Sequence, residues 1–174
     1  MIGMVNKILV IGSGAREHAI VRALDRSTHE KEIYCLASNK NPGIAEHCDE
    51  ILIGNFNDPE FVVSYSKEAG ITIAIIGPEN PLASGVADAL WKVGVKVVGP
   101  KKNLAQLETS KAFTRDLLKE YAIPGGPQYQ TFDSMNGVAS FLNDLGENYV
   151  VKFDGLAGGK GVKVSGDHLY SHRE

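Results

Sequence analysis

Five short apolar runs alternate with helical patterns over the first hundred residues, and this alternation limits the fold more than any other feature of the sequence. The runs predict strands over 7–11, 33–37, 51–53, 72–76 and 95–98. Strands that are apolar throughout are typical of parallel sheets covered by helices on both faces. Alternating strands and helices form an open parallel sheet with right-handed crossovers. We therefore predict an α/β fold, with a Rossmann-like domain over residues 1–100.

Helix signals lie between these strands. Asp58 is a typical N-cap, and Pro59 suits the first helical position. From Pro81 to Val93 apolar residues recur at helical spacing, which predicts one helix. Another helical pattern directly follows the glycines of Gly12-Ser-Gly14.

The pattern changes after Gly99-Pro100, where a second module is predicted. Lys101–Asn103 is expected to be a polar joint, and further helices are predicted over 111–121 and 135–145. Strands over 149–153 and 162–164 flank a glycine-rich loop, so we expect an antiparallel hairpin. The predicted organisation is a first domain over 1–100, a linker with one helix over 101–124, and an incomplete lid subdomain over 125–174.

Composition excludes several classes of protein. The apolar fraction of 43% and the charged fraction of 22% are those of a soluble globular protein. The sequence has no apolar run near the roughly 20 residues that span a bilayer, and a net charge of −3 argues against general nucleic-acid binding. The histidines and cysteines lack metal-ligand spacing, so no metal site is predicted. Cys35 is expected to pack as a small apolar residue, and His18, in the first helical turn after Gly14, is a candidate for lining a pocket.

The first candidate site is the loop Gly12-Ser-Gly14 together with Arg16. Glycines after a strand let the backbone approach a ligand, and the following helix N-terminus attracts anions. Glu17 stands where a dinucleotide-binding loop needs a third glycine, so a single phosphate fits better than NAD. The alternative is a tight turn in which Glu17 only stabilises the helix dipole.

The second candidate is Glu79, which follows the fourth predicted strand in the stiff turn Gly77-Pro78-Glu79. Ligands of open parallel sheets bind at the carboxyl ends of the strands. Glu79 is therefore a candidate acceptor for a sugar hydroxyl or an amine. The alternative is a carboxylate in a solvent-exposed turn.

The third candidate combines Lys111, Lys152 and Lys160 with the glycine-rich loop Gly155–Gly161. The loop is not a Walker A sequence, because three residues instead of four separate Gly155 from Gly159. In addition, Gly161 stands where a Walker A sequence has its metal-binding hydroxyl. A flexible glycine hairpin with a lysine can instead close over a triphosphate. Lys152 lies within an apolar strand, where an anionic ligand would compensate its charge. The alternative is an edge-strand lysine that faces water.

Four sequence strings together resemble the glycinamide ribonucleotide synthetase (phosphoribosylamine–glycine ligase) family. In order they are Lys7-Ile-Leu-Val-Ile-Gly-Ser-Gly-Ala-Arg-Glu-His-Ala19, Ile76-Gly-Pro-Glu-Asn-Pro-Leu82, Leu107-Glu-Thr-Ser-Lys-Ala-Phe113 and Val151-Lys-Phe-Asp-Gly-Leu-Ala-Gly-Gly-Lys-Gly161. The resemblance covers nearly the whole chain. It implies a pre-ATP-grasp domain followed by the truncated start of an ATP-grasp domain.

The resemblance also implies a reaction and a set of contacts. Members of the family join glycine to 5-phosphoribosylamine through a glycyl phosphate, giving glycinamide ribonucleotide, ADP and phosphate. The implied ATP-binding residues are Lys111, Lys152, Gly155, Gly158, Gly159, Lys160 and Gly161. The implied residues on the ribosylamine side are Gly12, Gly14, Arg16 and Glu79. No catalytic residue is assigned, and no contact is assigned to Asn39–Gly43, which departs from the family's usual order.

The resemblance further implies ATP and Mg²⁺ (or Mn²⁺) as cofactors, with metal ligands beyond residue 174. The expected partners are small-molecule substrates, without nucleic acid or membrane, for a monomeric cytoplasmic enzyme. The 174-residue chain is expected to be inactive by itself.

Three other interpretations stay open at this point. The nearest is another ATP-grasp carboxylate–amine ligase or a biotin carboxylase, against which the strings around Gly12 and Gly77 argue. A nucleotide-binding oxidoreductase domain is disfavoured by Glu17. A non-catalytic binding domain is the third.

Overall fold

All five predicted strands form, and they lie in one parallel sheet. The computed structural model describes residues 5–171. Its first five strands are β1 (Asn6–Ile11), β2 (Lys31–Ala37), β3 (Glu50–Ile53), β4 (Ile73–Ile76) and β5 (Lys96–Val98). Their order across the sheet is β3-β2-β1-β4-β5, and each neighbouring pair is parallel. The predicted open parallel α/β fold is therefore confirmed.

Helices cover both faces of this sheet. They are α1 (Ala15–Asp25), α2 (Pro42–Ala45), α3 (Pro59–Ala69), α4 (Glu79–Ser84), α5 (Val86–Lys92) and α6 (Lys102–Thr109). Leu9 of β1 belongs to an apolar cluster with Val62 of α3 and Leu90 of α5. Val10, the next residue of β1, belongs to a second cluster with Val21 of α1. Successive strand residues point to opposite faces, so one strand supplies both cores.

The helix start predicted at Asp58 is confirmed. The Asp58 carboxylate accepts hydrogen bonds from the backbone N–H groups of Glu60 and Phe61, at 3.0 and 3.4 Å. Pro59 is the first helical residue, where its missing N–H costs nothing.

The single helix predicted over Pro81–Val93 is wrong in its extent. Two helices, α4 and α5, meet at Gly85, whose φ of +90° is in the left-handed region. This conformation ends α4, and glycine adopts it without the steric cost of a side chain. The expected polar joint at Lys101–Asn103 also differs, because α6 begins at Lys102.

The chain divides into two units, the first ending at Ala105 and the second beginning at Gln106. The second unit contains α7 (Lys111–Glu120), α8 (Val138–Leu145), β6 (Val150–Lys152) and β7 (Val162–Val164). β6 and β7 are antiparallel, with Val150 opposite Val164, so the predicted hairpin is confirmed. The helix expected from Met135 begins at Val138, because Gly137 precedes it with a φ of +82°.

The second unit has a thin core. Among its described residues, the buried apolar side chains are Leu142 and Tyr149. Phe153, which follows β6, is 76% exposed, and Val150 and Val151 are also exposed. Little apolar area is therefore removed from water in this unit, and its stability per residue is expected to be lower than that of the first.

Candidate functional site

The loops after β1 and β4 meet at the point where the strand order reverses. β1 pairs with β2 on one side and with β4 on the other, and the backbone N–H of Gly77 donates to the Ile11 carbonyl at 3.1 Å. In open α/β sheets ligands bind beside such a reversal, at the carboxyl ends of the strands. We call the residues Gly12–Gly14, Arg16, Glu17 and Gly77–Glu79 the switch-point site.

Arg16 and Glu79 are brought together at this site. Both terminal nitrogens of the Arg16 guanidinium lie 3.1 Å from the Glu79 Oε1 atom. Arg16 also donates to the carbonyl of Gly77. The side chains of Arg16 and Glu79 are 60% and 30% exposed, so the pair is open to solvent and to ligands. A bound phosphate would have to share Arg16 with Glu79 or replace that carboxylate.

Glu17 lies under the two loops and is only 5% exposed. Its Oε2 atom accepts a hydrogen bond from the backbone N–H of Gly14 at 2.6 Å. A Cβ atom on Gly12 would lie 2.7 Å from the Glu17 Cδ atom, and one on Gly77 would clash with the same carboxylate. These contacts support the interpretation of Glu17 as part of a tight turn. The Gly14 N–H already donates to Glu17, so an anion bound at Gly14 would have to share this donor with the Glu17 carboxylate.

The loop after β2 completes this edge of the sheet through Asn41, to which the sequence assigned no contact. The Asn41 Oδ1 atom accepts from the N–H of Gly43 and caps α2, while its Nδ2 donates to the Ser13 carbonyl at 3.0 Å. His18 packs against this helix, since a Cβ atom on Gly43 would lie 2.6 Å from the His18 Nε2 atom. An asparagine directly before a proline is a helix-start signal, and it could have revealed this cap.

The two cysteines share one apolar cluster, and Cys35 contacts the loop Gly12–Gly14. The Cys35 thiol donates to the Gly12 carbonyl at 3.4 Å, and Cys48 packs against the same apolar cluster as Cys35. Both thiols are free. A hydrogen bond from Cys48 lowers the pKa of the Cys35 thiol, although burial and the charge of Glu17 oppose this shift. The same hydrogen bond and burial raise the pKa of the Cys48 thiol.

The second candidate site is the glycine hairpin, by which we mean β6, β7 and the loop 153–161 between them. Phe153 N–H donates to the Gly161 carbonyl at 2.8 Å and closes the base of the loop. Gly155, Gly158 and Gly159 have φ values of +117°, +55° and +79°, and a Cβ atom on any of them would meet open space. The tip of the loop therefore combines left-handed backbone with little packing.

The predicted lysines have different positions around this hairpin. Lys111, at the start of α7, donates from Nζ to the Gly155 carbonyl at 2.7 Å. Lys152 is an exposed residue of β6, and Lys160 is exposed in the loop. The structure thus brings Lys111 to the base of the loop, whereas the exposure of Lys152 agrees with both a ligand-binding and a solvent-facing lysine.

Asp154 makes contacts at the hairpin that the sequence analysis missed. Its carboxylate accepts hydrogen bonds from the backbone N–H groups of Lys111 and Ala112, at 2.6 and 3.2 Å. It also accepts a hydrogen bond from the Ser110 hydroxyl at 3.0 Å. Burial by itself would raise the pKa of Asp154, but these hydrogen bonds and the charge of Lys111 outweigh burial and lower it. The signal was an aspartate directly after a strand, beside a serine that precedes a helix.

The described residues also bear on metals and membranes. Over residues 5–171, histidine, cysteine, aspartate and glutamate side chains form no group of three or more that could hold a metal ion. In the same part of the chain, none of the helices combines the length and apolar character that crossing a bilayer requires.

Two family matches cover the described chain in order. Residues 6–108 match the family described as phosphoribosylglycinamide synthetase, N domain, and residues 109–173 match its ATP-grasp (A) domain. The chain belongs to the phosphoribosylglycinamide synthetase family. The resemblance inferred from the four strings is therefore confirmed.

Curated relatives are nearly half identical to this chain over the residues that align. A phosphoribosylamine–glycine ligase of Methanosarcina barkeri is 48% identical over 163 residues, covering 94% of this chain and 37% of that protein. The phosphoribosylamine–glycine ligase of Methanobrevibacter smithii is 45% identical over 168 residues, covering 97% of this chain and 38% of that protein. The chain thus spans somewhat more than a third of the length of these curated relatives.

Solved structures show the same fold at low identity. The phosphoribosylglycinamide synthetase of Anaerococcus prevotii has a TM-score of 0.64 and 15% identity, over 98% of this chain and 40% of that one. The N5-carboxyaminoimidazole ribonucleotide synthetase of Thermotoga maritima has a TM-score of 0.70 and 18% identity, over 92% of this chain and 41% of that one. A third structure is the biotin carboxylase domain of a Hydrogenobacter thermophilus 2-oxoglutarate carboxylase, solved with MgADP, ADP and bicarbonate. It has a TM-score of 0.74 and 18% identity, over 94% of this chain and 38% of that one. The predicted succession of a pre-ATP-grasp domain and an ATP-grasp start is confirmed as a fold.

Proposed function

We propose that this chain takes part in the ATP-dependent ligation of glycine to 5-phosphoribosylamine, a step of purine biosynthesis. The observation that carries the proposal is the match to both domains of one synthetase family, in order, over residues 6–173. It is supported by curated relatives at 48% and 45% identity that bear the name phosphoribosylamine–glycine ligase. The products are glycinamide ribonucleotide, ADP and phosphate.

The chemistry explains why such a site needs lysines and a closing loop. A carboxylate is a poor acyl donor until it is phosphorylated, and phosphoryl transfer depends mainly on positioning and charge neutralisation. ATP supplies the phosphoryl group that activates the glycine carboxylate. A loop that closes over the site keeps water away from the acyl phosphate before the amine attacks.

The glycine hairpin fits the phosphates of ATP. The open space beside Gly155, Gly158 and Gly159 lets an anion approach the backbone closely. An ammonium group has three donors, and Lys111 uses one of them for the Gly155 carbonyl. We propose that Lys111, together with the exposed Lys152 and Lys160 and with Gly161 at the loop's end, binds the triphosphate.

We propose that the ligands of the divalent cation, Mg²⁺ or Mn²⁺, lie beyond residue 174, as the family resemblance implies. Within residues 5–171, carboxylates do not gather into a metal-binding group. The cation would neutralise charge between the phosphates and the attacking carboxylate. The curated relatives are more than twice as long as this chain, which leaves ample sequence for such ligands.

The switch-point site is the proposed position of the ribosylamine phosphate. Arg16 would donate to that phosphate, and the Glu79 carboxylate would accept from the amine or a sugar hydroxyl. Gly12 and Gly14 allow the phosphate to approach the loop. A single phosphate suits this loop better than a dinucleotide, because Glu17 stands where a dinucleotide-binding loop needs a third glycine. We further propose a monomer that acts on small molecules in the cytoplasm.

The test is the change Lys152→Met in the full-length protein. Methionine keeps the length of the side chain but removes the charge, so ATP affinity should fall about ten- to a hundredfold. Lys163→Met is the matched control. Lys163 lies opposite Val151 in the same hairpin, on the face opposite to that of Lys152. Equal ATP affinities for Lys152→Met and the unchanged protein, measured by calorimetry, would contradict the assignment.

A further inference from the structure

Polar contacts in the second unit join α7 to the glycine hairpin in both directions. The Asp154 carboxylate, in the hairpin, accepts from Ser110, Lys111 and Ala112 of the α7 start. Lys111 then donates from its ammonium back to the Gly155 carbonyl. Two side chains that are 43 residues apart thus each bind the backbone of the other's segment.

Asp154 is not needed merely to cap the helix. Ser110 is already the N-cap residue of α7, and its hydroxyl oxygen accepts from the Phe113 N–H at 3.0 Å. Asp154 instead satisfies the two preceding N–H groups, those of Lys111 and Ala112, from a distant part of the chain. These N–H groups would otherwise attract anions, since they lie at the positive end of the helix dipole.

The loop beyond Asp154 has few packing contacts to hold it. A Cβ atom on Gly155, Gly158 or Gly159 would meet nothing within 4 Å. The polar contacts of Asp154 and Lys111 therefore mark the boundary between an anchored base and an open tip. A segment built this way can move at its tip while its base stays in place.

We propose that Asp154 is a positioning residue that anchors the glycine hairpin to the start of α7 and so fixes the Lys111 ammonium beside Gly155. The anchor also fills the N-terminal end of α7 with a carboxylate, so a bound phosphate is directed to Lys111 and the loop rather than to the helix end. This second consequence rests on the proposed function, whereas the anchor itself does not.

The first experiment measures amide hydrogen exchange of the 174-residue chain by mass spectrometry. In Asp154→Asn, exchange at residues 111–112 and at 155–161 should rise about tenfold or more, because a neutral amide is a weaker acceptor than a carboxylate. Asp154→Glu keeps the charge and should restore part of the protection. Asp167→Asn, a change at an exposed turn residue of the same unit, should leave these segments unaltered. Unchanged exchange in Asp154→Asn would overturn the proposal.

A second variant separates the two halves of the contact. Lys111→Met removes the bond to the Gly155 carbonyl but leaves the backbone N–H groups that Asp154 binds. Exchange should then rise at 155–161 and stay low at 111–112. A rise at both segments would show that Lys111, not Asp154, holds the hairpin, and would overturn the proposal.

Nucleotide binding in the full-length protein distinguishes this inference from the proposed function. We expect Asp154→Asn to raise the KM for ATP about tenfold while kcat changes less, since the residue positions Lys111 and does not touch the reacting atoms. An unaltered KM in Asp154→Asn, beside a raised one in Lys152→Met, would overturn the positioning role. If neither variant alters ATP binding, the proposed function fails. The hydrogen-exchange data alone then show whether Asp154 anchors the hairpin to α7.

Discussion

The carboxylate of Glu17 fills the space that a side chain on Gly77 would require. A Cβ atom placed on Gly77 would clash with the Glu17 carboxylate, and the Glu17 side chain is almost fully buried. Gly77 lies 60 residues further along the chain, directly after β4. The turn after β1 and the turn after β4 are therefore packed against each other through one acidic side chain.

Gly77→Ala should destabilise the first unit by about 1–3 kcal/mol, the usual cost of overpacking a filled interior. Trp91 is the single tryptophan of the chain and lies in α5, so its fluorescence during urea unfolding reports on this unit.

The matched comparison is the same change in a Glu17→Ala background. Glu17→Ala alone leaves the Gly14 N–H without its carboxylate, at a cost of about 1–3 kcal/mol. It also clears the space beside Gly77, so the methyl group that Gly77→Ala adds should cost much less there. Additive effects of the two changes would contradict the shared space.

Arg16→Met should leave stability within about 1 kcal/mol of the original protein, because exposed ion pairs contribute little. Its effect should instead be on anion binding. Ribose 5-phosphate titrated against the backbone amide signals of residues 12–16 should bind about tenfold or more weakly in this variant. Arg22→Met, an exposed arginine at the other end of α1, serves as the control. Equal weakening in both variants would indicate a nonspecific charge effect.

The pKa of Asp154 should lie below that of the same residue in the urea-unfolded chain. Burial raises this pKa, but the Ala112 N–H, the Ser110 hydroxyl, the Lys111 N–H and the Lys111 charge together favour the ionised carboxylate and lower it. A carboxylate whose pKa is lowered by folding stabilises the fold above its unfolded pKa, and this contribution is lost as pH falls through the lowered value. Carbon-detected NMR titration of the Asp154 carboxyl measures the shift. An unshifted or raised pKa would show that the contacts with α7 do not form in solution.

The Cys48 thiol should react slowly with iodoacetamide at pH 8, because its raised pKa leaves little thiolate. Removing the hydrogen-bond partner in Cys35→Ala should bring the pKa of Cys48 down and speed the reaction. Mass spectrometry after timed alkylation gives the rates, with the unfolded chain as the reference. The prediction fails if Cys48 of the folded original protein reacts as fast as in the unfolded chain.

The strands could be predicted because each is mainly apolar and ends near glycine, proline or polar residues. Residues 162–164 were predicted as a strand and form β7 with the same limits. Helix limits were less accurate where glycine intervenes, as at Gly85 and Gly137. A hydrophobic pattern continues across such a residue, but the left-handed backbone does not continue the helix.

The site contacts were harder to predict because they join distant segments. Arg16 and Glu79 were each predicted at a strand end, but their pairing depends on β1 and β4 being neighbours in the sheet. The roles of Glu17 and Asp154 depend on Gly77 and on residues 110–112, and periodicity within one segment carries no information about either. The cysteines look unrelated in sequence for the same reason.

The strand order has a consequence for synthesis on the ribosome. β1 is made before its two neighbours, yet its partner β4 lies about 65 residues later, as the Lys7–Thr72 contact shows. At a synthesis rate of about 5–20 residues per second, β1 has one unpaired edge for ~3–13 s. That edge belongs to the apolar residues Ile8–Ile11, the kind of segment that pairs with other chains when uncovered. The nascent chain thus carries an uncovered apolar edge until β4 is made, and chaperone binding should fall once β4 has paired with β1.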